Sequence, residues 1–397
     1  MHLVIVSPFP PTITGVGQYG YHITRGLAET GVFSRITVLA AESNSSERPN
    51  HLGMTEIEYC WRPGQLNAQR AILSRIKKLN PDVIWFNLRV SMFGESSWLN
   101  AAGLSTPMFA RQMGYPTVVT LHELVELADL RALDAPGGLM APLGAHMITY
   151  ISTQADVVCL TLRHYIEWFA AKRPDVDCVY IPHGAFQEPV LLEEDAGTEL
   201  LLFNMLAPFK GVELLLQAFP ALKLQYPDLR LTIAGEEHPR FPGYVESVRK
   251  RFNGIKDVSW RGKIADEDLV DLFRQAKIIV LPYTASTGAS SILYRAATWG
   301  RPAVASDLPE IRALVKDDGF QVEFFETGNV NSLREKIGNL LDSPGRRRAQ
   351  IENNFAVIQN MRLGATCHRY IKAFNRALEK RRSPKRIAIP QTNIELA

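Results

Sequence analysis

The chain has 397 residues, of which 46% are apolar and 21% charged, and its formal net charge is +3. That length suggests two domains, and the balance is that of an ordinary globular protein. A charge so near zero gives no reason to expect nucleic acid as a partner, and four cysteines (Cys60, Cys159, Cys178, Cys367) without a C-x-x-C pair indicate neither a zinc site nor a disulfide framework.

The first element is the strand "LVIV" at residues 3–6. Its apolar run is too short, and too lacking in preceding basic residues, for a signal peptide. No stretch approaches the roughly 20 apolar residues that a bilayer-spanning helix requires. The expectation is a protein of a reducing compartment, cytoplasmic or at the inner face of the cell membrane. A helix over residues 15–31 follows, stopped by Gly31. Next come a strand at 36–40, a helix, turn and strand over 67–87, and a strand at 117–123 that ends in His122 and Glu123. Two more strands read at 155–162 and 179–184. Strands alternating with helical patterns imply βαβ units and a parallel sheet.

The acidic segment 188–199 reads as the interdomain connection. A second alternating series then runs from "LLLFNML" (200–206) to "PAVASD" (302–307), and helices occupy the chain beyond Ser332. The domains expected are therefore 1–190 and 195–365, with a C-terminal helix, about 366–397, returning to the first. Such open α/β halves bind ligands at the carboxyl ends of their strands.

Four places there carry chemistry. The loop "PFPPTITGVGQYG" has Gly15 and Gly17 at a helix start, where amides and the helix dipole suit phosphate; its prolines separate it from the dinucleotide fingerprint, and a turn without ligand remains the alternative. His122 ends a strand, placed to bond a sugar hydroxyl or polarise a reacting group; His183 reads as structural. Lys210 and Gly211 precede a helix, where an ammonium suits a diphosphate. After "KIIVLPY" come Thr284, Ser286, Thr287, Gly288, Ser290 and Ser291, an anion cradle at a helix start. An ordinary serine cap, worth about 1 kcal/mol, would need only one of them. Asn87 and Arg89, among aromatics after another strand, suit sugar contacts.

Taken in order, the glycine loop, "TLHE" with His122, "IPHG" at 181–184, "KG" at 210–211, "TIAGEE" at 232–237, "WRGKIADEDLVDLF" at 260–273 and "GRPAVASDLPEI" at 300–311 resemble glycosyltransferase family 4, retaining nucleotide-sugar enzymes. The resemblance implies the GT-B fold, two Rossmann-like domains with parallel sheets facing across a cleft: an N-terminal acceptor domain and a C-terminal donor domain. It places the donor diphosphate against Gly15, Gly17, Lys210 and the amides from Gly288 through Ala289 and Ser290 to Ser291, and the base on Gly262, Lys263 and Ile264. It gives His122 the transferred sugar, while Asn87 and Arg89, read from their own stretch, are the expected acceptor contacts. It implies transfer without a metal or cofactor, from a UDP-sugar by family frequency, to a glycan or lipid-linked saccharide in polysaccharide or glycoconjugate synthesis.

The chain departs from that pattern. Counted back from Gly300, the family's two glutamates fall on Thr287 and Arg295, and its arginine six residues before the lysine falls on Asn204. The expectation is a divergent branch that rebuilt its donor site from Thr and Ser, with Arg295 supplying the charge Asn204 lacks. A catalytically impaired sugar-binding or partner subunit is the standing alternative; an epimerase would need cleft carboxylates beyond Glu123 and Glu236. The basic tail, with Arg376, Lys380, Arg381, Arg382, Lys385 and Arg386, suits contact with anionic lipid, or else is a solvated helix face.

Overall fold

Leu3, Val4, Ile5 and Val6 are wholly buried, and a strand covered on both faces belongs inside a parallel sheet with helices above and below. The computed structural model describes residues 1–11, 14–42, 48–94, 96–127, 141–194, 198–286 and 288–381. These fall into two compact units, the first made of residues up to 127, 141–186 and 362–381, the second of 187–361.

The first unit holds eight strands: β1 (His2–Ser7), β2 (Arg35–Ala41), β3 (His51–Leu52), β4 (Thr55–Trp61), β5 (Val83–Leu88), β6 (Thr117–Leu121), β7 (Val157–Leu160) and β8 (Cys178–Tyr180). Their order is β3-β4-β2-β1-β5-β6-β7-β8, parallel except for the short β3–β4 pair. Its helices are α1 (Gly15–Glu29), α2 (Ala68–Leu79), α3 (Ser97–Leu104), α4 (Thr106–Gln112), α5 (Ala141–Ser152), α6 (Arg163–Lys172) and α14 (Leu363–Lys380). The strands β3 and β4 and the helices α3 to α5 were not legible as separate elements.

Alternate residues of each strand supply the two faces. Leu3, Ile5, Val38 and Trp85 pack with α1 and α14. Val4, Val6, Leu39, Phe86 and Val119 pack with residues of α2, α3, α4 and α5. α14 is pinned by a buried hydroxyl chain: Tyr370 Oη lies 2.8 Å from both Tyr19 Oη and Thr120 Oγ1, and Trp85 Nε1 donates to the same Thr120 oxygen at 2.8 Å.

The basic end of α14 is engaged inside this unit. Arg376 Nε donates to Asp177 at 2.6 Å, Lys380 Nζ to the Asp156 carbonyl at 2.7 Å, and Arg381 Nε lies 3.0 Å from the Asp156 carboxylate. Three of the cations expected to meet lipid thus have carboxylate partners at the strand ends, Asp156 and Asp177. Arg382, Lys385 and Arg386 lie outside the described residues.

The second unit is one parallel sheet, β11-β10-β9-β12-β13-β14. Its strands are β9 (Glu199–Phe203), β10 (Arg230–Ala234), β11 (Val258–Arg261), β12 (Ala276–Leu281), β13 (Ala303–Ser306) and β14 (Glu323–Phe325). Its helices are α7 (Val212–Gln225), α8 (Tyr244–Arg251), α9 (Leu269–Gln275), α10 (Ser291–Thr298), α11 (Pro309–Asp318), α12 (Val330–Asp342) and α13 (Pro344–Gln359). Pro344 opens α13 at the first turn, where its missing N–H is no loss. Arg301 is fully buried and donates to the carbonyls of Phe273 at 2.8 Å and Glu193 at 2.9 Å, which ties the acidic 188–194 segment to this unit. Among the described residues no helix is long and apolar enough to cross a membrane.

Tyr370→Phe removes the middle hydroxyl of the buried chain. It is expected to lower unfolding stability by about 1–3 kcal/mol, the cost of a buried polar group losing its partner. The change in urea midpoint, with an unchanged slope, measures it.

Candidate functional site

In each sheet the strand order reverses once, and the crevice at that reversal is where open α/β sheets hold ligands. In the first sheet the reversal lies between β1 and β5; in the second, between β9 and β12.

In the first unit, Asn87 near the end of β5 has no exposed surface. Its Nδ2 donates to Ser7 Oγ at 2.8 Å and to the Val16 carbonyl at 2.9 Å, while its Oδ1 faces His122 Nε2 at 2.6 Å. A carbonyl only accepts, so the amide nitrogen must face Val16. The atom toward His122 is then the oxygen, and Nε2 must carry the proton. His122 is therefore held as the tautomer whose Nδ1 keeps a lone pair. Burial, helped by the nearby His183 and Arg89, lowers its pKa to about 3, so the ring stays neutral across the physiological range. It accepts or donates a hydrogen bond there rather than a proton.

The structure corrects two expectations in this unit. Asn87 is a clamp that joins β1, α1 and His122, and its complete burial excludes a direct contact with an acceptor. Gly17 is not an open amide either: its N–H donates to Thr14 Oγ1 at 2.9 Å, an N-cap bond. The glycines of this loop serve close approach. A Cβ at Gly20 would lie 2.4 Å from Ser7 Oγ and 2.8 Å from Asn87 Nδ2, so α1 reaches the strand ends only through a residue without a side chain. Gly15, at the helix start, is exposed and uncrowded. Arg89 is half-buried with its Nε 3.8 Å from Glu123, and Glu123 also accepts from the Val90 amide at 3.2 Å. His183 packs against Tyr19 and Phe186, with ring centroids 5.2 and 4.7 Å apart.

In the second unit the loops after β9 and β12 carry the site. Tyr283, two residues beyond β12, is buried, and burial pushes its hydroxyl pKa up to about 12 against the hydrogen bonds of Ser290 and Asn204. Asn204 Nδ2 donates to that hydroxyl at 2.5 Å, and its Oδ1 accepts from the Met205 amide at 2.8 Å. Lys210 Nζ sits 4.1 Å from the centre of the Tyr283 ring and 5.5 Å from that of Phe209, within cation–π range. Ser290 stands at the N-cap of α10 but makes no side-chain cap bond; its hydroxyl bonds Tyr283 instead, which removes the ordinary-cap reading. Asn204, Lys210, Tyr283 and Ser290 thus form one connected cluster at the reversal point.

Backbone geometry enforces this closeness. Gly211 has φ 68°, and a Cβ there would lie 1.7 Å from the Pro282 carbonyl oxygen. Gly288 also takes a positive φ, 68°, while Ala289 and Ser291 are half-buried beside it. Thr287 lies outside the described residues. Arg295, one turn into α10, lies with its guanidinium 5.8 Å from the Phe203 ring centre, and burial lowers its pKa while Asp266 opposes that shift. After β11, the Gly262 carbonyl accepts from the Gly235 amide at 3.1 Å, Lys263 is exposed and Ile264 half-buried. Glu236 is exposed. Sequence reasoning missed Tyr283, which reads as the last residue of a strand; the signal was its place two residues past a strand end, after a proline.

The fold is GT-B. The chain superposes on sucrose-phosphate synthase from Thermosynechococcus elongatus with a TM-score of 0.73, 15% identity and coverage of 96% of this chain and 100% of that one. It superposes on Anabaena HepE, solved in complex with UDP-glucose, with a TM-score of 0.67, 14% identity and coverage of 94% and 98%. Residues 198–343, which contain the second cluster, match the family model described as Glycosyl transferases group 1. The phosphatidyl-myo-inositol mannosyltransferase of Mycolicibacterium smegmatis is 27% identical over 149 residues, covering 36% of this chain and 37% of that relative. The MMP alpha-(1->4)-mannosyltransferase of Mycolicibacterium hassiacum is 30% identical over 152 residues, 36% of each. The matched stretches thus span little more than a third of these curated relatives. These likenesses show the GT-B fold along the chain and a Glycosyl transferases group 1 match over residues 198–343.

The His122 pKa has a sign that can be read in stability. As pH falls below about 6.5 the unfolded chain binds a proton there, while the folded chain does not until about pH 3. Stability is therefore lost as pH falls through that window. In His122→Gln the slope of unfolding free energy against pH between 4 and 6 should fall by about one proton equivalent, measured by urea unfolding at each pH.

Proposed function

We propose that this chain is a retaining glycosyltransferase that moves a sugar from a nucleoside diphosphate sugar to a glycan or lipid-linked saccharide, without a resident metal or cofactor. The observation that carries the reading is the Asn204–Tyr283–Ser290 network with Lys210 laid on the Tyr283 ring, at the strand reversal of the unit that matches the family model.

A leaving nucleoside diphosphate develops negative charge on its bridging oxygen. Groups placed in advance to receive such charge lower the barrier, and the cluster supplies them. Lys210 is a cation held in place by an aromatic face, and α10 aims its first amides and dipole at the same loop. Asn204 stands where the family has an arginine; in this reading Arg295 supplies the second positive charge from the first turns of α10. His122, neutral and fixed in tautomer, offers Nδ1 to a sugar hydroxyl. With its pKa near 3 it is no general base at neutral pH, which fits deprotonation of the acceptor by the leaving phosphate on the face from which it departs. Gly262, Lys263 and Ile264 hold the base, and Arg89 stays a candidate for the acceptor.

UDP is favoured over GDP by family frequency, and the solved HepE complex holds UDP-glucose. The lipid-linked acceptor is favoured by the phosphatidyl-myo-inositol mannosyltransferase likeness. The partner-subunit reading has one observation of its own, the absence of the family's carboxylates at Thr287 and Arg295; hydrolysis of UDP-sugar without acceptor separates the two.

UDP should raise the melting temperature of the protein, because a ligand bound only to the folded state stabilises it. Lys210→Ala should weaken UDP binding tenfold or more, about the worth of a charge-assisted hydrogen bond. Tyr283→Phe, which keeps the ring under Lys210 but frees Ser290 and Asn204, should weaken it less. Arg295→Ala with unchanged donor affinity would remove the compensation proposed for Arg295.

A further inference from the structure

One layer of the first unit combines exposed apolar side chains with an absence of carboxylates. The helices α2, α3, α4 and α5 cover a single face of the first sheet, burying Ala68, Ile72, Ile76, Leu104 and Ala110 against it, with Ile148 half-buried beside them. Within their ranges there is no aspartate or glutamate, while they carry Arg70, Arg75, Lys77, Lys78 and Arg111. The other helices of this unit each carry a glutamate: Glu29 in α1, Glu167 in α6 and Glu379 in α14.

The same layer exposes large apolar side chains. Trp98 at the start of α3 is 79% exposed and Leu143 of α5 61%. Phe109 and Met113, four residues apart at α4, and Met147 and Tyr150, which continue the Leu143 stripe of α5, are exposed too. Spacings of three and four residues put each set on one side of its helix. Arg75 and Arg111 pair with Glu58 and Asp156 on the sheet, whereas Arg70, Lys77 and Lys78 on α2 are exposed.

We infer that this four-helix layer is a docking surface for an anionic lipid bilayer. The inference rests on the lipid-linked acceptor proposed above and names where such an acceptor would be met. An exposed tryptophan, a tyrosine and aliphatic side chains beside a row of cations is the composition that seats at the headgroup boundary. Each lysine or arginine near an anionic surface adds about 1 kcal/mol, and no carboxylate of these helices opposes it. A second copy of this chain is the other occupant to weigh, and charge disfavours it: a two-fold contact sets the same patch on itself and brings Arg70, Lys77 and Lys78 against their own counterparts. The contact also differs from the one first expected, since the described cations at the end of α14 are held by Asp156 and Asp177.

The test is vesicle flotation of the full chain with phosphatidylcholine vesicles, with and without phosphatidylglycerol, at low and high salt. The wild type should float with the anionic vesicles at low salt and lose most of that binding at high salt. Lys77→Glu with Lys78→Glu, and separately Trp98→Gln with Leu143→Gln and Met147→Gln, should each weaken binding about tenfold or more. All five are exposed positions outside the donor cluster, and an unchanged UDP thermal shift certifies the fold of each variant. No flotation of the wild type, or flotation of both variants equal to that of the wild type, overturns the inference. So does a wild-type dimer in sedimentation that the apolar triple variant dissociates while vesicle binding stays absent. Flotation that persists in a protein giving no UDP shift supports the surface and removes only the catalytic reading.

Discussion

Both sheets of this protein are buried on two faces, and that constraint organises everything else. A strand covered above and below by helices must be apolar along its length, as Leu3–Val6 and Leu200–Leu202 are. Its polar chemistry is then confined to its ends. Where the strand order reverses, two neighbouring chains leave the sheet in opposite directions and open a crevice lined by loop backbone. Polar side chains gather at these two places, Ser7 and Asn87 in one unit, Asn204 and Tyr283 in the other.

The two clusters use different physics. In the first, a buried amide with every hydrogen-bonding group engaged fixes an imidazole in one tautomer, and burial keeps that ring neutral. That leaves a neutral Nδ1 acceptor beside the strand ends. In the second, an aromatic ring and two polar side chains steady one ammonium group and one serine beside a helix start. That arrangement favours an anion.

The substitutions that set this chain apart from the family pattern acquire a physical shape in the structure. Asn204, where an arginine was expected, does not leave a gap: its amide spans from the Met205 backbone to the Tyr283 hydroxyl. Arg295, where a carboxylate was expected, lies against Phe203 at the end of the adjacent strand. Asn204, Tyr283 and Ser290 bond one another beside Lys210, so the polar groups of this loop cluster are joined rather than scattered.

Much of this was legible in the chain itself. Alternating apolar strands and amphipathic helices define two parallel-sheet units, because period and burial are local properties of sequence. The glycine loop, His122, Lys210 and the hydroxyl run were all readable as strand-end features for the same reason. What only the tertiary structure decided is which of their atoms are already in use. Asn87 looked like a sugar contact and is a buried clamp; the Gly17 amide looked open and is capped by Thr14; the cations of α14 looked like a lipid-binding tail and answer Asp156 and Asp177. The carboxylate-free layer of α2 to α5 was in the sequence all along, scattered over some eighty residues. It became a surface only when four short helices were laid side by side, because hydrogen-bond partners and shared faces are set by residues far apart in the chain, and no local pattern records them.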